Sequence, residues 1–307
     1  MRLLLIRHGE TVDNVAGKYA GITDSALTNH GVLQANRLGA HLAKTHANVC
    51  HIFSSDLQRA VKTANAIRLA QDESSRPKEV TELEFLREQD FGFYEGKAFF
   101  ERSRESNKSG KEAHVEEHTK IPGFKDVESK ESMKARLDNF IDIHILNLLD
   151  LVATEQTVVV VAHGIILSHL WRCLLYRFPQ RNVSVAAGVV SADKPFSLEH
   201  LGGWSNTGYL DLEMKPCSRD VTAASSRSTQ APCPISENAD TGHGTSTSGV
   251  QLPSKILDIS LVVKAVNNLE HLKGLKKTRG GIGSLKHDSK QKTVDSFFSK
   301  KRKLESP

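Results

Sequence analysis

An arginine and a histidine stand side by side where a strongly apolar run near the start of the sequence ends. Residues 3–6 are all Leu or Ile, and Arg7, His8 and Gly9 follow them at once. The planar guanidinium of an arginine matches the oxygens of a phosphate, and a neutral histidine beside it could attack the phosphorus. Gly9 would allow a ligand to approach the backbone closely. A surface Arg-His pair after a strand has the same sequence, so the dipeptide alone is weak evidence.

Two further apolar runs lead to residues of the same kinds. Residues 158–162 lead into His163 and Gly164, and residues 49–53 lead to Arg59 through a short polar stretch. Uninterrupted apolar runs of this length are typical of buried strands in a parallel sheet. Ligands of open parallel sheets bind beyond the carboxyl ends of the strands. The pattern therefore predicts that these histidines and arginines meet at one edge of a sheet.

Four blocks of sequence resemble the histidine phosphatase superfamily, the phosphoglycerate mutase-like fold, in order and in spacing. The resemblance covers about residues 1–213, with a further piece near residue 270. It implies an α/β fold, a three-layer α/β/α sandwich around a mostly parallel sheet, and phosphoryl transfer through a covalent phosphohistidine. The blocks are Arg7-His8-Gly9-Glu10-Thr11 with Asn14, Gly21, Asp24, Leu27-Thr28 and Gly31; Ser54-Ser55-Asp56-Leu57-Gln58-Arg59-Ala60 with Thr63-Ala64; Leu86-Arg87-Glu88 with Gly92 and Glu95-Gly96; and His163-Gly164.

The resemblance implies a role for each residue that could do chemistry. His8 would be the nucleophile, because the pKa of a histidine lies near neutrality and an unprotonated ring nitrogen is readily available. Arg7 and Arg59 would hold the phosphate oxygens and offset charge during the transfer. His163 would donate to the same phosphate. Glu88 would protonate the leaving alkoxide and later activate water.

Asn14 and the backbone at Gly21 and Gly164 would complete the donors around the phosphate. Because two guanidinium groups and two imidazoles already supply positive charge, we expect neither a metal nor a cofactor. The polar segment 97–127 is predicted to form a helical insertion or lid over the site. Its basic residues either contact the substrate or form a solvated face, and we favour the solvated face; they are Lys97, Arg102 and Arg104.

The residues after Glu88 favour a phosphatase over a mutase. Cofactor-dependent mutases of the resembled family carry an arginine, an aromatic residue and a glycine shortly after the acid, to hold a bisphosphate. Here the residues are Gln89, Asp90, Phe91 and Gly92, so the basic group is missing and an acid stands nearby. We therefore expect hydrolysis of a phosphomonoester, with phosphoglycerate mutase-type transfer as the alternative. The identity of the small phosphorylated substrate stays open.

The remaining pattern predicts one domain over residues 1–272 and a basic tail over 273–307. Residues 215–253 contain no aromatic residue and are rich in small and polar ones, which predicts a disordered insertion between two late strands. Apolar periodicity predicts the regular elements. The helices are expected at 29–44, 56–70, 132–152 and 165–176, and further strands within 80–86 and at 183–191, 207–214 and 256–266.

The tail carries two short motifs. One resembles the peptide that docks on the DNA sliding clamp, with a glutamine, an aliphatic residue and an aromatic pair: Gln291, Val294, Phe297 and Phe298. Anchors at this spacing lie on one helical turn. The other resembles a nuclear import signal: Lys300, Lys301, Arg302 and Lys303. Because short motifs also match by chance, the alternative is a disordered basic tail. A rival function is an adaptor with little activity that is tethered to the clamp.

Composition limits the classes of protein that fit. From residue 273 onward eleven Lys and Arg stand against three acids, a net charge of +8, whereas the whole chain carries +5. The basic charge thus belongs to the tail, and we expect no direct nucleic-acid binding by the domain. No apolar run approaches the roughly 20 residues that span a bilayer, so no membrane partner is expected. The four cysteines show no metal-ligand spacing, which favours free thiols and an intracellular location, in the nucleus or the cytoplasm.

Overall fold

The computed structural model describes residues 1–45, 47–99, 118–149, 151–153, 155–189, 197–217, 255–276 and 281–289. Seven strands lie within these ranges. They are Arg2–Arg7 (β1), Val49–Ser55 (β2), Thr81–Leu83 (β3), Thr157–Ala162 (β4), Val183–Val185 (β5), Tyr209–Pro216 (β6) and Ile259–Asn268 (β7).

The strands form a single mixed sheet in the order β3-β2-β4-β1-β6-β7-β5. Every neighbouring pair is parallel except the two pairs that involve β6. The two central strands β1 and β4 pair in register from Arg2 with Thr157 to Arg7 with Ala162. Their carboxyl ends therefore lie side by side, and the residues that follow them meet at one edge of the sheet.

Helices cover both faces of the sheet. They are Val12–Ala16 (α1), Asn29–Lys44 (α2), Gln58–Ala70 (α3), Lys130–Phe140 (α4), Leu146–Leu149 (α5) and Gly164–Leu175 (α6), and a π-helical turn, Ile141–Ile145, joins α4 to α5. Short 3₁₀ turns lie at Glu84–Leu86, Gly92–Tyr94, Gln180–Asn182, Glu270–Leu272 and Ile282–Ser284. The predicted class, a three-layer α/β/α sandwich around a mostly parallel sheet, is confirmed.

The apolar run of β1 is uninterrupted because both of its faces are buried. Leu3 and Leu5 face the layer of α4 and α6, whereas Leu4 and Ile6 face the layer of α2 and α3. A strand that alternates between two cores needs an apolar residue at every position. The same reason accounts for the valines of β4, which are fully buried.

Most predicted elements occur near their expected bounds, and the differences are local. Helix α3 begins at Gln58 rather than at residue 56, and its N-cap, Leu57, makes no side-chain cap bond. Of the strand expected at 183–191, the described residues 183–189 form only the three residues of β5, and residues 190 and 191 lie outside the described residues. The helix expected at 132–152 contains the π-helical turn. The segment 97–127 is described only at 97–99 and 118–127, so Arg102, Arg104 and most of the expected lid lie outside the described residues.

Strands β6 and β7 are antiparallel neighbours although the segment 218–254 separates them in sequence. Strand β6 continues to Pro216, two residues into the expected insertion, and pairs there with Ile259. The expected insertion otherwise falls on residues outside those described. The domain bounds stay a prediction.

The first part of the predicted tail contacts the domain. The backbone N–H of Asn29 donates to the carbonyl of Leu285 (3.0 Å), and that of His287 donates to the carbonyl of Leu27 (3.0 Å). This segment therefore adds a short antiparallel pairing in front of α2. Both tail motifs lie beyond it, outside the described residues. Where the structure describes the chain, no helix has the length and apolar character needed to cross a membrane.

Candidate active site

A cavity of about 470 Å³ lies at the carboxyl ends of β1 and β4. The sequence-predicted residues that line it are Arg7, His8, Asn14, Arg59, Glu88, His163 and Gly164. They come from four separate parts of the chain, and the sheet register brings them together. The backbone N–H of His8 donates to the carbonyl of Ala162, the last residue of β4, at 3.0 Å. Among the residues predicted to act on the phosphate, Gly21 does not line the cavity.

The hydrogen bonds of His8 decide which ring nitrogen is free. Its Nδ1 lies 2.7 Å from the carbonyl oxygen of Gly9. A carbonyl only accepts, so Nδ1 carries the proton and Nε2 keeps its lone pair. The ring is buried, and burial together with the charges of Arg59 and Arg7 holds the pKa of His8 well below its usual value. The residue is therefore a neutral imidazole with a free Nε2.

His163 has the opposite tautomer. Arg59 donates from Nε to its Nδ1 at 3.1 Å, so the proton of His163 is on Nε2. That Nε2 is buried and has no hydrogen-bond partner among the described residues. Burial, followed by the charge of Arg59, lowers the pKa of His163 well below its usual value. The ring centroids of His8 and His163 are 5.1 Å apart, so a lone pair and an N–H donor stand close together.

Arg7 is anchored at one end only. Its Nη1 donates to the carbonyl of Trp204 at 2.6 Å. Its Nε is buried and has no hydrogen-bond partner among the described residues. A buried donor without a partner is costly, which indicates a ligand that accepts from it. Together with His163 Nε2, this atom gives the cavity two unsatisfied donors.

Both Nη atoms of Arg59 donate to backbone oxygen. Nη2 donates to the carbonyls of Ala20 (2.9 Å) and Gly21 (2.6 Å), and Nη1 donates to that of Thr23 (2.8 Å). The Gly21 N–H donates to Glu95 at 3.1 Å and is therefore not directed at a phosphate. The structure thus makes Gly21 a support for Arg59. The guanidinium has five N–H groups, so one, on Nη1, is left for a ligand.

Glu88 joins the cavity to α6. Its carboxylate accepts from the backbone N–H groups of Gln89 (3.1 Å), Ile165 (3.1 Å) and Ile166 (2.9 Å). The last two belong to the first turn of α6, where free N–H groups and the helix dipole favour a negative charge. Glu88 is thus a cap of the helix that follows His163 as well as a wall of the cavity.

The loop that carries Glu88 is held by a residue that the sequence did not single out. Arg136 of α4 donates to the carbonyls of Phe85 (2.6 Å), Arg87 (2.7 Å) and Glu88 (3.2 Å). It also forms a two-pronged ion pair with Glu128. An arginine on the polar side of a predicted helix has no local signal that would reveal this role.

Asn206 is a second supporting residue for which the sequence has no local signal. Its Nδ2 donates to the carbonyl of His8 (3.2 Å) and to Oδ1 of Asn14 (3.0 Å). The next residue, Thr207, donates from its backbone to the carbonyls of Arg7 and His8 (3.0 and 3.2 Å). The turn before β6 therefore fixes the backbone on which the two central residues stand.

Gly9 makes a close backbone contact that the sequence did not predict. A Cβ built on Gly9 would lie 2.6 Å from the carbonyl oxygen of Gly31, at the start of α2. The absence of a side chain at Gly9 therefore allows the backbone of α2 to approach closely.

Of the charged residues that entered the argument about substrate, the structure describes Asp90 and Lys97, and neither lines the cavity. Asp90 pairs with Lys125 (2.6 Å) and accepts from the Gly92 N–H (2.7 Å). Its charge is thus already offset and does not oppose a bisphosphate. Lys97 stacks its ammonium on the ring of Phe93, 2.8 Å from the centroid. Among the described residues, no group of three or more His, Cys, Asp or Glu side chains is arranged to hold a metal ion.

Comparisons with known proteins agree with this arrangement. A Schizosaccharomyces pombe protein named "Probable phosphatase C1620.13" is 28% identical over 97% of this chain and 79% of its own length. The "Adenosylcobalamin/alpha-ribazole phosphatase" of Salmonella typhimurium is 32% identical over 57% of this chain and 80% of its own. "Phosphoserine phosphatase 1" of Hydrogenobacter thermophilus is 31% identical over 57% and 76%. The predicted class of enzyme, a phosphatase, is confirmed.

The sequence pattern of a whole family covers more than half of the chain. The family is described as "Histidine phosphatase superfamily (branch 1)", and residues 3–191 match it. The match includes β1 to β4 and therefore all of the predicted site residues that line the cavity. The chain belongs to the histidine phosphatase superfamily, branch 1.

Proposed function

We propose that the chain hydrolyses a phosphomonoester through a phosphohistidine formed on Nε2 of His8. One observation carries the proposal. The lone pair of His8 Nε2 shares a cavity with the buried donors Arg7 Nε and His163 Nε2, which have no partner among the described residues. A phosphate would satisfy both donors while its phosphorus faces the lone pair.

In the first step Nε2 of His8 attacks the phosphorus, and the bond from phosphorus to the ester oxygen breaks. Arg7 and His163 donate to the oxygens on which negative charge gathers. Arg59 contributes its charge and its remaining Nη1 N–H. It also keeps the proton of His163 on Nε2 by donating to Nδ1. Asn14 and the backbone of Gly164 line the same end of the cavity and add donors. Glu88, carrying a proton, transfers it to the leaving alkoxide.

In the second step water hydrolyses the phosphohistidine. Glu88, now ionised, takes a proton from the water as its oxygen attacks the phosphorus. The bond from phosphorus to Nε2 breaks, and inorganic phosphate leaves. His8 returns to the neutral form because its proton stays on Nδ1, hydrogen-bonded to the carbonyl of Gly9, throughout. No metal or cofactor takes part in either step.

The test is to trap the intermediate. Wild-type protein should form an acid-labile, base-stable phosphoenzyme and release phosphate, whereas His8→Ala should do neither and should keep its melting temperature. His51→Ala, at an exposed histidine of β2, is the matched control and should behave as wild type. If His8→Ala keeps a tenth of the wild-type turnover, the covalent mechanism is wrong.

Phosphoglycerate mutase-type transfer is the alternative. The missing basic residue at Gln89 still argues against it, since the Gln89 side chain donates to the carbonyl of Glu128 (2.7 Å). Asp90 no longer argues against the mutase, because its charge is offset by Lys125. An isomerisation assay on phosphoglycerate, with and without a bisphosphate primer, decides between the two. Efficient interconversion with little free phosphate would establish the mutase.

We also propose that the tail directs the enzyme to the DNA sliding clamp in the nucleus. The support is sequence alone: Gln291, Val294, Phe297 and Phe298 for docking, and Lys300, Lys301, Arg302 and Lys303 for import. A peptide of residues 289–303 should bind the clamp with an affinity on the order of micromolar, because it must be ordered on binding. Calorimetry with the Phe297→Ala, Phe298→Ala double variant should show no binding. Equal binding by the variant would leave only the import signal and a cytoplasmic or nuclear enzyme without this partner.

A further inference from the structure

The cavity extends beyond the groups that would hold a phosphate. We call this part the outer cavity, and it is lined by Lys18, Tyr19, Phe91, Phe99, Arg172 and Trp204. None of these residues has a role in the mechanism through its side chain. Two of them are cations and four are aromatic, so the outer cavity has a composition that a phosphate alone does not explain.

Arg172 is the most informative of these residues. It lies on α6, eight residues after Gly164, and its side chain is half-buried. Its guanidinium forms no hydrogen bond or ion pair with any described residue, although it lines the cavity. By contrast, the neighbouring Arg177 pairs with Asp138 and Asp142. A half-buried guanidinium that lines a cavity and has no carboxylate partner among the described residues is suited to bind an anion.

The charges around Arg172 also favour the binding of an anion. Lys18 is a second cation of the outer cavity without an ion pair among the described residues. Glu88 carries the one carboxylate among the described lining residues, and it is already bound to the first turn of α6. Beside Arg172, burial and then the charge of Arg172 lower the pKa of His169 to about 4, so that imidazole is neutral at pH 7. Glu199 lines a smaller adjoining pocket with Arg172 but forms no ion pair with it, so the outer cavity presents positive charge that no described ion pair offsets.

The same cavity also has aromatic walls. The ring of Tyr19 packs on Phe91 (centroids 4.5 Å apart) and on Phe99 (4.8 Å). Phe99 is half exposed. Trp204 is fixed by a hydrogen bond from its Nε1 to Ser168 (2.9 Å). Rigid aromatic walls of this kind bind flat or apolar groups.

We propose that the substrate is a phosphomonoester that carries an aromatic ring and, beyond the ring, a second anionic group bound by Arg172. The inference rests on the proposed function, because it places the phosphate against His8. Arg172 lies about 12 Å along the helix axis from Gly164, and a helical side chain leans towards the N-terminus. A ring of naphthalene size between the two anionic groups suits that separation.

The test compares two substrates that differ only in the second anion. They are 6-carboxy-2-naphthyl phosphate and 2-naphthyl phosphate. For the wild type we expect kcat/KM to be at least tenfold higher for 6-carboxy-2-naphthyl phosphate than for 2-naphthyl phosphate, chiefly through a lower KM. In Arg172→Met the ratio of the two values should fall to about 1. Arg181→Met, at an exposed arginine away from the cavity, is the matched control and should keep the wild-type ratio. The comparison of ratios removes any difference in intrinsic reactivity between the substrates.

Each part of the inference has its own contrary result. An unchanged ratio in Arg172→Met, with the variant folded as judged by its melting temperature, would overturn the role of Arg172. Phosphoserine has the second anion but no ring, so a kcat/KM as high as that of 6-carboxy-2-naphthyl phosphate would overturn the aromatic part. Both results leave phosphatase activity in place. A wild type that hydrolyses no phosphomonoester and forms no phosphoenzyme would instead overturn the proposed function and this inference with it.

Discussion

At the scale of single residues, the site depends on which atom of each side chain is free. The ring centroids of His8 and His163 are 5.1 Å apart, yet the two residues have opposite tautomers. The reason is that Nδ1 of His8 faces a carbonyl, whereas Nδ1 of His163 faces a guanidinium. One therefore offers a lone pair and the other an N–H. Glu88 is in a third situation, since its carboxylate accepts three backbone N–H bonds, and in the proposed mechanism it also exchanges a proton with the substrate.

The first prediction concerns Glu88→Gln. If Glu88 protonates the leaving group, phosphoenzyme formation should slow about 10² to 10⁴-fold with an alkyl phosphate. With p-nitrophenyl phosphate the loss should be much smaller, because that leaving group departs without a proton. Rapid-quench measurement of phosphoenzyme formation checks this. Glutamine also loses the charge that caps α6, so the melting temperature is measured alongside. An equal loss with both substrates would mean that Glu88 acts only as a cap.

The second prediction concerns pH and stability. His271 is buried against Tyr209, and its Nε2 lies 2.9 Å from Oγ1 of Thr207. Burial, followed by the charges of His41 and Arg37, lowers the pKa of His271 to about 4. As pH falls below about 6.5 the unfolded chain binds a proton here and the folded chain does not. The free energy of unfolding should therefore decrease between pH 6.5 and 4, by up to about 1.4 kcal/mol per pH unit from this group.

Urea unfolding at a series of pH values measures this slope. His271→Gln should show a smaller slope than wild type, by about 1 kcal/mol per pH unit, whatever its stability at pH 7. His51→Gln, at an exposed histidine, serves as the control and should keep the wild-type slope. The linkage argument fails if the His271 variant and wild type have the same slope.

At the scale of elements, the cavity is held by contacts between neighbours in space. Helix α6 supplies the N–H groups that fix the Glu88 carboxylate, and α4 supplies Arg136, which fixes the backbone of the same loop. The loop has only a short 3₁₀ turn of its own, Glu84–Leu86, to give it shape. Its conformation therefore depends on these two helices.

The third prediction follows for Arg136→Met. Without the guanidinium the carbonyls of Phe85, Arg87 and Glu88 lose their common donor, and Glu88 is no longer held in position. We expect kcat to fall at least tenfold with a smaller change in KM, because Arg136 positions Glu88 and does not touch the substrate. Lys134→Met on the same helix loses only an exposed ion pair and should keep the wild-type kcat. A change confined to the melting temperature would limit Arg136 to a structural role.

At the scale of the whole molecule, late segments of the chain complete the sheet and brace the site. Strand β7 pairs with β6, and the turn before β6 holds the backbone of His8. Residues before β7 also pack on the domain, since the Ile256 N–H donates to the carbonyl of Arg177 (2.8 Å). The described residues on both sides of the segment 218–254 therefore belong to the domain.

The fourth prediction is that residues 218–254 can be replaced by about eight Gly and Ser residues. Loop-closure entropy changes slowly with length, so a shorter loop should be neutral or slightly stabilising, by about 1 kcal/mol. Turnover and melting temperature should stay close to those of the wild type. A deletion that also removes residues 255–258 is the contrast and should lower the melting temperature, because Ile256 is buried. A large loss of either property in the first deletion would show that the segment packs on the domain.

The sequence by itself determined the class of fold, the strand ends and the identity of the residues that meet there. Periodicity reports whether a segment is buried on one face or two, and β1 and β4 are buried on both, which made their ends recognisable. Only the tertiary structure decided what those residues contact. The partners of Arg59, the support from Arg136 and Asn206 and the approach of Gly31 to Gly9 join residues far apart in sequence. Such contacts leave no periodic trace, because they depend on how whole elements pack rather than on the residues next to them in the chain.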